Sequence, residues 1–197
     1  WGISGGAVPL PLVVMQVLAI DLGTDQIPAI ALGTERPEPG TMPRPPRART
    51  EHLFNRAVLT RIFARIGPLE GLAAMASFLF AYVLAGWRPW EPLADSGDVY
   101  VQATTMAMAG IVMAQVGAGL AWRTDRLSVR AIGLFTNRLL LIGIAVEVAM
   151  IALLAYTPGL RAVFETGPIG PWHWLFLLIW PVLVLAVDEA HKARLRR

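Results

Sequence analysis

The sequence has 197 residues, 55% of them hydrophobic and only 16% charged, with a mean hydropathy of +0.55. Soluble domains carry about a quarter charged residues, so this composition excludes both a water-soluble globule and a disordered chain. The absence of cysteine excludes a disulfide scaffold, a cysteine zinc site and a thiol nucleophile, and the net charge of +3 matters less than where the charges fall.

A helix needs about 20 mostly apolar residues to cross the hydrocarbon layer. Five stretches meet or approach that length, at about 8–33, 62–87, 101–122, 132–156 and 171–187. They are apolar all round, not striped, which predicts an all-α, polytopic membrane bundle of five transmembrane helices in a lipid bilayer. If the segments alternate in direction, 15 of the 17 basic residues collect on one side, leaving only Arg88 and Arg161 opposite. That side is expected to be cytoplasmic. Trp1 then lies outside, while the loop 34–61 and Arg197 lie inside. Trp87, Trp90, Trp172 and Trp174 fall at the outer boundary, where amphipathic rings anchor, and Trp122 at the inner one. The basic loops and tail adjoin spans and lack interleaved aromatics, so contact with the inner leaflet is expected and nucleic acid is not. The first residue is not Met and no basic segment precedes the apolar run, which suggests a piece of a longer protein without a signal peptide.

Acids stand where acids are costly. Asp21, Asp25, Glu70 and Glu147 lie inside apolar runs, with Asp188 near an end. A charge at mid-bilayer costs at least about 2.5 kcal/mol, which makes each acid a candidate for an ion path or proton relay. In the first span Asp21, Thr24 and Asp25 follow i, i+3, i+4 spacing and share one helix face. Pro28 has no N–H for the Thr24 carbonyl, and Gly23 loosens the same turn. An opened turn with two carboxylates suits a hard, oxygen-liganded cation. A proline kink with two protonated acids is the structural alternative.

The run Ile20-Asp21-Leu22-Gly23-Thr24-Asp25, then Pro28-Ala29, Glu35, Glu38 and Met42-Pro43-Arg44-Pro45-Pro46-Arg47, resembles the sixth membrane helix and following loop of type II P-type cation-transporting ATPases. Gln115 resembles a position in the eighth helix, Glu147 with Ala155-Tyr156-Thr157-Pro158-Gly159 the ninth, and Trp172 with Asp188, Glu189 and Lys192 the tenth and its basic tail. Asp21, where the calcium pumps carry Asn, is similar to the sodium/potassium and proton/potassium branch. Ala118 stands where that branch has an acid.

The resemblance implies cation coordination by Asp21, Thr24 and Asp25, with Asp21 and Asp25 as the charged ligands, and an ion region lined by Gln115 and Glu147. It also implies a plasma-membrane location. A phosphorylating, Mg-ATP-binding part would lie on the N-terminal side of the same parent chain. These 197 residues hold neither an Asp-Lys-Thr-Gly-Thr stretch nor a phosphate-cradling Gly-x-x-x-x-Gly-Lys-Ser/Thr loop, so no nucleotide chemistry is expected of them alone. A small secondary cation or proton carrier using the same acids is the alternative function.

The remaining residues read more plainly. Glu70 suits either a helix first turn or the vicinity of the ion path, and Gln115 either an interhelical hydrogen bond or a ligand. Asp188 and Glu189, beside Lys192, Arg194 and Arg196, are expected to form a surface ion-pair cluster. Gly110, Gly117 and Gly119 predict close helix contact. Met106, Met108 and Met113 predict packing, and His52, His173 and His191 are expected in loops or the tail with no metal constellation.

Overall fold

The computed structural model describes residues 8–41, 43 and 54–196. Trp1, Met42, Arg44, Pro45, Pro46, Arg47, Arg49, His52 and Arg197 lie outside the described residues. Every regular element among the described residues is helical. Four helices are long and apolar enough to cross a membrane, Arg56–Leu84, Gly97–Ala121, Arg138–Tyr156 and Pro171–Leu195, which makes this a multi-pass membrane chain.

The first apolar stretch is not one continuous helix. It runs as α1 (Val14–Leu18), a π-helical turn (Ala19–Thr24), a bend at Asp25, and α2 (Gln26–Gly33). Pro28 can start a helix but cannot continue one, since it offers no N–H four residues back. The chain resumes helical bonding with the Ala29 N–H donating to the Asp25 carbonyl at 3.2 Å. The next stretch also contains a π-turn, Ile62–Ile66, between α3 (Arg56–Arg61) and α4 (Gly67–Leu84). Asn55 caps α3 by accepting from the Val58 N–H at 2.9 Å.

The third, α5 (Gly97–Ala121), is the axis of the bundle and the most buried element. Both α4 and α10 (Ile179–Leu195) lie against it. Glycines set that closeness: a Cβ on Gly110 would stand 2.6 Å from the Ala73 carbonyl oxygen, and one on Gly117 2.7 Å from the Pro181 carbonyl oxygen. Met106, Met108 and Met113 fill the core around them. A buried hydrogen bond from Trp180 Nε1 to Ser77 Oγ, 3.0 Å, ties α10 to α4. The loop after α5 holds the short α6 (Val129–Ile132) and leads to α7 (Arg138–Tyr156), capped by Asn137. Then α8 (Pro158–Phe164) and α9 (Pro171–Leu177) precede α10.

Two expectations need correction. His173 lies within α9, not a loop; it is buried, with its Nδ1 accepting from the Gly170 N–H at 3.0 Å. His191 is likewise helical, on α10.

Candidate functional site

The first span and α7 run antiparallel in a fixed register. A Cβ on Gly143 would meet Pro28, its ring Cγ and its nitrogen both at 3.2 Å, and a Cβ on Gly23 would meet Met150 Cε at the same distance. Glu147, one turn beyond Gly143, therefore faces the bend at Asp25. Small residues at 23 and 143 let the broken helix approach this closely.

Each candidate residue has a definite place. Thr24 is buried, in a closed apolar seam with Met108, Val112, Met150 and Ile151, and its hydroxyl donates to the Ile20 carbonyl at 2.8 Å. Asp25 is half-buried and interacts electrostatically with Asp21, Glu70 and Glu147. Glu147 is buried, 2% exposed, and its Oε2 has no hydrogen-bond partner. Gln115 likewise leaves its Oε1 without one. Asp21 faces outward beside Leu18 and Leu22, its backbone carbonyl accepting from Gln26 Nε2 at 3.2 Å. Glu70 sits half-buried in the first turn of α4. The structure thus brings Glu70 and Glu147 each within electrostatic reach of Asp25, and leaves Asp21 on the open side. Among the described residues no three His, Asp or Glu side chains converge tightly enough to hold a metal ion.

Two polar anchors hold the ends of this span. At its N-terminal end Gln16, fully buried, donates through Nε2 to Thr104 Oγ1 (3.2 Å) and to the Glu165 carbonyl (3.0 Å). At its C-terminal end Glu35 receives Arg123 through Nε (2.7 Å) and Nη2 (3.1 Å), and Asn137 Nδ2 at 2.9 Å. Asn137 also donates to the Ala31 carbonyl at 3.0 Å. The guanidinium of Arg123 holds the Glu35 carboxyl below the usual carboxylate range. Glu38 adds a second clasp by accepting from the backbone N–H of Asp125 at 2.7 Å. These anchors join residues 87 to 149 positions apart, and nothing in their spacing signals the pairing. Beside them a cleft of about 840 Å³ opens between Glu35–Pro39 and Ile132–Leu139.

The acids near the chain's end are not a surface cluster. Asp188 and Lys192 are each 1% exposed and bond at 2.7 Å across one helical turn. Arg61, itself buried, reaches the same carboxylate at 3.1 Å and lies 4.0 Å over the Trp122 ring. Glu189 turns the other way and accepts from the Val129 N–H at 2.8 Å. Asp188 is buried because α10 stays helical to Leu195 and lays the stripe of Val184, Asp188 and Lys192 against α5.

Comparison with known proteins identifies the family of the chain. The chain is 31% identical to the sodium/potassium-transporting ATPase subunit alpha of Tetronarce californica over 215 residues, covering 96% of this chain and 21% of that protein. It is 30% identical over the same share of each chain to the alpha-1 subunit of Oreochromis mossambicus and to the alpha-4 subunit of Homo sapiens. The chain thus spans about a fifth of the length of the curated relatives it matches. Residues 9–194 match the family described as cation transporting ATPase, C-terminus, and the chain belongs to that family.

Proposed function

We propose that this chain is the ion-passage part of an ATP-driven cation pump, with Asp21, Thr24 and Asp25 as the cation-binding residues of the first span. Gln115, Glu147 and Glu70 line the path beside them. The carrying observation is the break at Asp25 facing Glu147, a buried carboxyl with an oxygen that has no partner. Buried polar atoms are nearly always satisfied, so one left over at an opened turn favours an exchangeable occupant. The first span counts as a fifth crossing, which puts the basic loops and tail in the cytoplasm of a plasma-membrane protein. Mg-ATP is bound and hydrolysed by the part of the parent on the N-terminal side, and the open face carrying Asp21 is where further membrane helices of that part complete the site. The relatives are sodium/potassium transporters by name, so alkali cations are the first to assay.

The test uses the full-length parent. Asp25→Asn keeps the size of the side chain and removes its charge, and is expected to abolish cation-dependent phosphorylation or weaken its apparent affinity more than tenfold. Asp21→Asn should weaken it less. An apparent affinity for Asp25→Asn within about twofold of wild type, roughly 0.4 kcal/mol, would remove the carboxylate from the ion site. A proton relay in a secondary carrier would then be the better reading.

A further inference from the structure

The inner ends of the second and fifth long stretches gather three cations around a single fully buried carboxylate. Asp188 Oδ2 accepts from Lys192 Nζ at 2.7 Å and from Arg61 Nη2 at 3.2 Å. Both cations also bind the Ala121 carbonyl at the end of α5, at 2.7 and 2.8 Å. A third cation, Arg65, lies 3.7 Å from Asp188 Oδ1, with its side chain only 18% exposed. Asp125, 3.5 Å from Arg61, is 84% exposed and so heavily screened. Glu189 acts on Lys192 from a half-buried position, so three mostly buried cations share one fully buried carboxylate, with only partly screened acids around it and none of them on Arg65. Desolvated charge is costly unless paired, so an anion from elsewhere is called for at Arg65.

The surroundings indicate which anion. Arg65, Arg61 and Arg194 all interact electrostatically with His191, placing a basic rim beside the end of α5, where Arg61 and Lys192 bind the Ala121 carbonyl. The π-turn Ile62–Ile66 delivers Arg65 to that rim. Below Arg65 on the same face of the stretch come Leu69, half-buried, and Leu72, 52% exposed. A basic mouth above an apolar track, at the boundary of a bilayer-crossing helix, matches a phosphodiester with an acyl chain attached.

We propose that Arg65, with His191 and Arg194, binds the headgroup phosphate of an anionic phospholipid whose acyl chain lies along Leu69 and Leu72. The full 197-residue chain is reconstituted in phosphatidylcholine vesicles, and spin-labelled phosphatidylglycerol is compared with spin-labelled phosphatidylcholine for the fraction immobilised on the protein. The wild type should prefer phosphatidylglycerol. Arg65→Gln should lower that preference about fivefold, the usual effect of one interfacial arginine, and Arg65→Lys should keep most of it. Arg130→Gln, on the far side of α10, should leave it unchanged. Should Arg65→Gln fail to fold, Arg194→Gln decides, since that side chain is exposed and its loss disturbs no core. An unchanged preference in the deciding variant, or an equal loss with Arg130→Gln, overturns the site. Complete displacement of the labelled lipid by soluble glycerol phosphate would assign the pocket to free phosphate and overturn the lipid reading.

Discussion

Replacing Arg123 by methionine removes the C-terminal anchor of the first span while keeping the length of the side-chain stem. The Arg123 side chain is fully buried, and all five of its N–H groups are engaged. Two go to Glu35, two from Nη1 to the Gly133 and Leu134 carbonyls at 2.8 and 3.0 Å, and one to Thr136 Oγ1 at 2.6 Å. Breaking a buried ion pair from one side costs about 3–5 kcal/mol. Glu35 is 14% exposed and keeps Asn137, which places the expected loss near the lower end, about 3 kcal/mol. Glu35→Gln, which retains hydrogen-bonding capacity, should lose about 1.5 kcal/mol. The double variant should lose about 3 kcal/mol and not the sum of the two, because both changes break one interaction.

The assay is reversible unfolding of the chain in mixed micelles, followed by tryptophan fluorescence, at neutral and acidic pH. The sign of the pH effect follows from the lowered folded-state value of Glu35. Its contribution is present above the ordinary carboxylate value of 4.5 and is lost as pH falls below that toward the lowered one. Arg123→Met should flatten this acid limb. A loss under about 0.5 kcal/mol for Arg123→Met, or strict additivity in the double variant, would refute the anchor.

Two further outcomes are expected. Gly117→Ala should cost about 2–3 kcal/mol in the same assay, since its Cβ would press on the Pro181 backbone, whereas Gly71→Ala, with open space around it, should gain about 0.5–1 kcal/mol. Cysteines placed in the 88–98 loop should react with an impermeant thiol reagent outside intact cells and those in the 36–60 loop should not; external labelling of the latter would reverse the proposed orientation.

Hydropathy made the long helices legible, because a bilayer-crossing helix is written as an uninterrupted apolar run. The break in the first span was legible for a related reason, since Gly23 and Pro28 interrupt such a run, and the structure has a π-turn and a bend there. Periodicity assigns a residue to a face but never names what stands opposite it. Asp188 reads as an interfacial acid beside a basic tail, yet its partner Arg61 lies 127 residues away and both are buried. The bond between Arg123 and Glu35 spans 88 positions and was equally silent. His173 was misplaced because Pro171 and the tryptophans around it suggest a boundary, whereas Pro171 occupies the first turn of a helix that continues inward.

The first span is tethered at Gln16 and again at Glu35, and the stretch from Ala19 to Thr24 between those tethers is wound as a π-turn. Such a turn closes its hydrogen bond one residue later than an α-turn, so it stores one residue of slack. Letting it tighten would release about 1.5 Å of axial travel and about 100° of rotation. Like a spare link in a chain fixed at both ends, the slack lies at Asp21, which could swing from the open flank toward Asp25 while the helices around it stay still.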